Sequence, residues 1–370
     1  MKNNIAFLGP APPFRGGISS FATQLAREMV KCGYDVKMFS FFKQYPQVIF
    51  PGKEQLDPDM DTYNLDIEAC FTPYLPHTWK NAVNKLKEYE PDVLVVSFWI
   101  PLMAPALGWI CSMLKPSVKV IYLIHNIDFH EKWPLAKLFT KYAMRSASHY
   151  MTLSEKTVSD LKQLIPHNRY SAIIKGFHPI YENYSAESLI HRKSVEHTIL
   201  FFGLIKAYKG LDVLLKAFPL VLEHIQDARL VIAGEIYGDD TVYDELVKQI
   251  QPRTAVEASF KYVPDSEVTG YFHNSNVCVI PYKSATQSGV ISIAFAHNLP
   301  VIASDVGGIS EAIEDGVNGL LVPADDVEAL SNAIIRYFKE NMQAKMAENI
   351  RSSKSTLTWE ALVRNMESVL

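Results

Sequence analysis

PYKSATQSGVISIAFAHNLPVIASDVGG, residues 281–308, holds the unit from which the fold is read. The short apolar run VCVIPY (277–282) reads as a strand ending at Tyr282. A polar loop follows. Ser288 and Gly289 then open an apolar helix over Val290–His297, and LPVIAS (299–304) is the next strand. Strand, loop, helix and strand in this order make the repeating unit of a parallel sheet. The first N–H groups of a helix have no partner within it, so those of Gly289, Val290 and Ile291 can take an anion.

The same rhythm runs outward in both directions. After it come SEAIEDG (310–316), read as a helix carrying Glu311 and Glu314, the strand GLLVP (319–323) and the helix VEALSNAIIRYFK (327–339). Before it come the strand HTILFFG (197–203), a helix over Gly210–Glu223, the strand ARLVIAGE (228–235), the helix VYDELVKQI (242–250), the strand ASFKYV (258–263) and the short helix VTGYFHNS (268–275). The first half repeats the pattern with NIAFLG (4–9), a helix over Ile18–Cys32, DVKMFSF (35–41), PDVLVVSF (91–98) and VKVIYLI (118–124). The polar stretch 178–197 between the halves reads as a linker. The fold expected is α/β, with two facing Rossmann-like doubly wound domains over 1–180 and 181–356 and a central cleft. In such sheets ligands bind beyond the carboxyl ends of the strands.

Composition agrees. The chain has 370 residues, enough for two domains at about 150 residues each. It is 48% hydrophobic and 11% aromatic, which excludes disorder as its main state. A net charge of −4 argues against a nucleic-acid partner. Cys32, Cys70, Cys111 and Cys278 form no CxxC pair and read as single thiols of a reducing compartment. The N-terminus does not read as a signal peptide, and no apolar run approaches the roughly 18 residues of a membrane span. A cytoplasmic location is expected.

Candidate chemistry lies just after strands. GPAPPFRGGISSF (9–21) places Gly16 and Gly17 before a helix, where bare backbone can approach an anion; it is neither GxGxxG nor a P-loop. HNIDFHE (125–131) places His125 at a strand end. His130 and Glu131 are adjacent, a poor spacing for a metal, and no metal site is expected. GLIKAYKGLDVLLKAF (203–218) sets Lys206 and Lys209 beside a helix start, which suits a diphosphate. KWPLAKLFTKYAMR (132–145) carries four cations and no acid, with Lys137, Lys141 and Arg145 on one helix face, so it offers peripheral contact with the inner face of an anionic membrane. An ordinary solvated face has the same pattern.

With these blocks in order, the chain resembles glycosyltransferase family 4, with the GT-B fold, and its bacterial surface-polysaccharide or lipopolysaccharide type. FRGGISSF, FFGLIKAYKGLDVLLKAF, LVIAGE, PYKSATQSGV and LPVIASDVGGISEAIEDGVNGLLVPADD carry the resemblance over nearly the whole length, and QYPQVIFPGKEQLD (44–57) points to the bacterial type. The resemblance implies transfer of a sugar from a nucleotide-diphosphate donor to a glycan or lipid-linked glycan acceptor, with retention and without a metal or other cofactor. It implies that Gly16 and Gly17 lie near the donor phosphates and the acceptor, and His125 near the donor sugar. It implies that Lys206 and Lys209 neutralise the diphosphate, that backbone at Val263 meets the base, and that Gln287, Ser288, Gly289 and Val290 form the phosphate-binding helix start. It also implies that helix 357–370 packs back on the first domain.

One departure stands out. The family's two glutamates before the LPVI strand are replaced by Ala285 and Ile293, or by Thr286 and Ala294 if the alignment slips by one. Alternatives are a degenerate, non-catalytic nucleotide-sugar binder and, with less support, a nucleotide-sugar epimerase, which needs acid–base carboxylates.

Overall fold

The computed structural model describes residues 3–46, 50, 54–127, 135–181, 197–238 and 241–370. Asp128, His130, Glu131 and Lys132, most of the expected linker and part of QYPQVIFPGKEQLD lie outside the described residues.

Runs of β-branched and aromatic residues form strands buried on both faces, the signature of a parallel sheet covered by helices. In VLVVSF (93–98) all six residues are buried. The first sheet has seven strands: β1 Asn4–Leu8, β2 Asp35–Phe41, β3 Asp66–Phe71, β4 Val93–Phe98, β5 Lys119–Ile124, β6 His149–Thr152 and β7 Ile173–Lys175. Their order is β3-β2-β1-β4-β5-β6-β7, every pair parallel. The helices of this half are α1 Gly17–Lys31, α2 Trp79–Tyr89, α3 Ala104–Ser112, α4 Ala136–Met144 and α5 Glu155–Lys162.

The second sheet has six strands: β8 Thr198–Phe202, β9 Arg229–Ala233, β10 Val256–Ser259, β11 Val277–Ile280, β12 Val301–Ser304 and β13 Gly319–Val322. Their order is β10-β9-β8-β11-β12-β13, again all parallel. Its helices are α6 Leu211–His224, α7 Thr241–Gln249, α8 Asp265–His273, α9 Gly289–Ala296, α10 Val327–Lys339 and α11 Gln343–Ser353. Both orders are doubly wound, with the strand direction of travel reversing beside β1 and beside β8.

Contacts group residues Met1–Phe177 with Thr358–Leu370 as one unit and His178–Leu357 as the other. The expected divisions were 180/181 and 356/357. His178, Pro179 and Ile180 go with the second unit, as does Leu357, whose carbonyl accepts the Ile180 N–H at 2.9 Å. The final helix, α12 Trp359–Met366, packs on α1, with the Trp359 ring edge-on to Phe21 at 5.0 Å.

Two expectations are corrected. SEAIEDG is not a helix. Its residues form successive turns, because Asn318 Oδ1 accepts the Glu314 N–H and Asp315 Oδ1 accepts the Leu321 N–H, each at 2.9 Å. Such local side-chain acceptors compete with helical hydrogen bonds, so Glu311 and Glu314 stand on a loop. The strand placed at ASFKYV begins two residues earlier and ends at Ser259, which leaves Val263 in the loop before α8. Of the cysteines, Cys70, Cys111 and Cys278 are buried and all four are free. Burial pushes the Cys70 and Cys111 thiols up to about 12, so they are inert packing groups.

The carboxyl edge of the second sheet is held by backbone in close approach. Gly210 has φ +68°, and a Cβ there would sit 1.8 Å from the Pro281 carbonyl oxygen. Gly234 has φ +156°, and its Cβ would sit 1.9 Å from the Gly203 oxygen. Gly316 also has positive φ, +75°, but open space where its Cβ would go. Gly316→Ala is therefore expected to cost only the left-handed penalty, about 1–2 kcal/mol. Gly210→Ala adds a backbone clash and should cost clearly more. Urea unfolding of both variants checks the ranking; equal losses would contradict it.

Candidate active site

Lys206 and Lys209 lie on the turn that joins β8 to α6. Gly210 lets this turn come down on Pro281, at the end of β11, and so brings it to the loop that opens α9. Lys209 Nζ donates to the Tyr282 phenol oxygen at 2.6 Å and stands 4.2 Å from the Tyr282 ring centre. Tyr282 is 2% exposed. Its oxygen lies 3.4 Å from Ser288 Oγ, and with the lysine donating, the phenol proton is available to Ser288. Burial lowers the Lys209 ammonium from its ordinary value and raises the Tyr282 phenol. Among the described residues, this cation meets a neutral oxygen and π faces, which favours arrival of an anion.

Ser288 is the N-cap residue of α9, yet its side chain makes no capping bond. Its hydroxyl is within reach of Tyr282 instead, so the Gly289 and Val290 N–H groups lack a side-chain cap. Val290 reaches the other way, its Cγ2 3.5 Å from the place of a Cβ on Gly203. Lys283 anchors the loop from below through Asp212 at 2.9 Å and Asp325 at 3.1 Å. Lys206 Nζ lies 5.8 Å over the Tyr237 ring. Gln287 is half-buried in the same loop.

Lys209 and Ser288 thus meet at Tyr282, with Gly289 and Val290 following Ser288 on α9 and Lys206 on the same turn as Lys209. Val263 follows β10, two strands from β8 in the sheet, and is half-buried. The glutamate positions hold Ala285 and Thr286 in the loop and Ile293 and Ala294 on α9, so no carboxylate stands there under either alignment. Among the described residues, no group of three or more His, Cys, Asp or Glu could hold a metal ion.

In the first unit, Gly16 is the N-cap of α1, with φ +111° and no room restriction beside it, and Gly17 is equally open. Both are exposed, so the α1 start is bare. His125 directly follows β5, is 5% exposed and meets the Phe21 ring of α1 edge-on at 5.2 Å. Its N–H donates to the Phe98 carbonyl at 2.8 Å, fixing it at the sheet's carboxyl edge.

Sequence reasoning missed Tyr282 and His178. Tyr282 closes the apolar run VCVIPY and so reads as the last core residue of a strand rather than as a site group. His178 was read as linker, but its Nδ1 lies 2.9 Å from Ser292 Oγ on α9, and its Nε2 lies 3.5 Å from the place of a Cβ on Gly289. Burial pulls its imidazole down to about 4. An unfolded histidine takes its proton near pH 6.5. Between about pH 6.5 and about 4 the unfolded state therefore binds more protons, and stability falls as pH falls through this window. His178→Gln should flatten that fall in urea midpoints measured from pH 7 to 4.5; an unchanged slope would remove His178 as its source.

Comparison with known proteins fits this geometry. Residues 15–177 match the model of Glycosyltransferase Family 4, and residues 196–340 that of Glycosyl transferases group 1. An uncharacterised glycosyltransferase of Methanocaldococcus jannaschii is 30% identical over 353 residues, 89% of this chain and 87% of that one. D-inositol 3-phosphate glycosyltransferase of Thermobifida fusca is 25% identical over 384 residues, 94% of this chain and 86% of that one. The Anabaena protein HepE, solved in complex with UDP-glucose, superposes with a TM-score of 0.76 at 14% identity, over 99% of this chain and 100% of that one. The chain belongs to the GT-B glycosyltransferases, with a family 4 first half and a group 1 second half.

Proposed function

We propose that this glycosyltransferase takes its sugar from a nucleoside-diphosphate donor and delivers it to an acceptor hydroxyl with retention at the anomeric carbon, without a metal, in surface-glycan assembly. The observation that carries the reading is the Lys209 ammonium held by Tyr282 beside the uncapped start of α9. As the glycosidic bond breaks, negative charge builds on the leaving diphosphate. Lys209, Lys206 and the Gly289 and Val290 N–H groups offer preorganised positive charge where it develops. With no carboxylate at positions 285, 286, 293 or 294, the retaining course is a same-face one in which the leaving phosphate accepts the acceptor proton. His125 and the open Gly16–Gly17 backbone serve the sugar and acceptor side. That HepE was solved with UDP-glucose supports a uridine donor.

Calorimetry with UDP, GDP, ADP and CMP tests the donor site. One diphosphate should bind tightly, and Lys209→Ala should weaken it. Turnover of the matching sugar nucleotide in Lys209→Ala should fall about 10²–10³-fold, with the melting temperature kept. Activity should survive EDTA. Wild-type turnover in Lys209→Ala, or loss of activity in EDTA, would overturn the reading.

We also infer that α4 rests on anionic lipid. Ala136, Thr140, Ala143 and Met144 are buried. At about 100° per residue, exposed Leu138, Phe139 and Tyr142 share one outward arc, and exposed Lys137, Lys141 and Arg145 the next. Leu138 is 58% exposed, and Leu135, just before the helix, 60%. An apolar arc bordered by cations matches a lipid–headgroup boundary. No helix among the described residues is long and apolar enough to cross a membrane. Reversing the three cations to Glu should weaken sedimentation with phosphatidylserine vesicles at least tenfold; unchanged binding would exclude this face.

A further inference from the structure

α9 has eight residues, GVISIAFA, and Ser292 is its one polar side chain. Ser292 is 5% exposed. So short a helix has little stability of its own, and its place is set by what grips it. No side-chain cap grips its start, since Ser288 makes no capping bond. Two polar anchors reach α9 from outside the β8–α6 turn and the loop 283–288.

The first anchor is His178. Its Nδ1 lies 2.9 Å from Ser292 Oγ, and either ring tautomer keeps that bond, because a hydroxyl both donates and accepts. Gly289 and Ser292 are three residues apart and so share a helix face. The His178 Nε2 stands 3.5 Å from the place of a Cβ on Gly289, so the ring spans the first turn of α9. The ring is itself held. Its Nδ1 lies 3.2 Å from the Pro179 carbonyl oxygen, and Tyr181, 3% exposed, packs on it at 5.4 Å. The second anchor is Lys354. Its Nζ donates to the carbonyl of Ala296, the last residue of α9, at 2.6 Å. A cation there also complements the helix dipole. Both anchors sit where the chain enters and leaves the second unit: His178 is its first residue, and Lys354 lies three before its last, Leu357. The bond from the Ile180 N–H to the Leu357 carbonyl ties the two segments together.

We propose that His178 and Lys354 are positioning residues of the transfer reaction: they fix α9 along its axis, so that the Gly289 and Val290 N–H groups meet the donor diphosphate in register with the Lys209 ammonium. This rests on the donor reading of the site. The His178–Ser292 pair suits such a role. In an apolar setting a hydrogen-bonded polar pair contributes little net stability, but it accepts one geometry. Exact placement matters to the chemistry, since a shift of about 1 Å in a group that holds substrate can cost roughly a hundredfold in rate.

The test is calorimetric titration with UDP, GDP and ADP, read beside the melting temperature of each variant. The wild-type protein should bind one diphosphate tightly. His178→Phe keeps an aromatic ring against Tyr181 but loses Nδ1, and should weaken that diphosphate roughly threefold to tenfold. His178→Asn should restore it, because its amide stands as many bonds from the backbone as Nδ1. Ser292→Ala, the milder change should His178→Phe not fold, should match it, and the double variant should lose no more than either alone. Lys354→Met should weaken binding to a similar degree, and Lys354→Arg, which keeps a donor, should lose less. A merely structural role would lower the melting temperature of these variants and leave the Kd unmoved. Wild-type affinity in Ser292→Ala, or Asn no better than Phe at position 178, would overturn the role of His178; wild-type affinity in Lys354→Met would overturn that of Lys354. A wild-type protein that binds none of the three diphosphates sinks the donor reading and this proposal together. Wild-type binding that the anchor variants leave unchanged sinks this proposal alone.

Discussion

The carboxyl edge of the second sheet depends on two backbones meeting where no side-chain carbon can fit. Gly210 lies against the Pro281 carbonyl, and Gly234 against that of Gly203. The first approach sets the β8–α6 turn on the end of β11, and with it Lys209 on Tyr282. The second holds the ends of β8 and β9 together beneath the same turn. A side chain at either place would push the lysine turn away from the α9 start. The glycines therefore do more than permit turns: they set the distance between a cation and a helix dipole. Both are charges that weaken with separation, so the spacing decides how much anion stabilisation the site has.

Tyr282 is the second constraint. A half-buried ammonium ordinarily pairs with a carboxylate, and a carboxylate here would repel a diphosphate. A phenol supplies one acceptor oxygen and a π face, satisfying the lysine without cancelling its charge. The same oxygen lies within reach of the Ser288 hydroxyl, so that side chain is not committed to capping α9. One aromatic residue thereby governs both positive elements of the site. His178 extends this shell along α9, through Ser292 and beside Gly289.

The alternation of strands and helices was legible because most core strands are continuous apolar runs. DVKMFSF and VEALSNAIIRYFK were read to the residue. β3, β6 and β7 went unread: DIEACF interleaves acids with apolar residues, and HYMT and IIK are too short for any period to show. SEAIEDG has a helical composition, but Asp315 and Asn318 capture the backbone N–H groups, an effect of tertiary position that local pattern does not carry. At the site, the lysines and the Ser288–Gly289 helix start were legible by their places after strands. The Tyr282 anchor was not, since an apolar strand ending in tyrosine looks like core. His178 was hidden by the polar residues that follow it.

The return of α12 to the first unit has a consequence for how the protein is made. Residues Met1–Phe177 leave the ribosome first, yet Trp359 on α12 packs against Phe21 of α1 and reaches it only after all of His178–Leu357 has been synthesised. Until then Phe21, and the ring of His125 that leans on it, lack part of their cover. The half begun first is finished last. During synthesis the nascent first unit is an incomplete body with an apolar seam open along α1, the kind of surface that holdase chaperones shield.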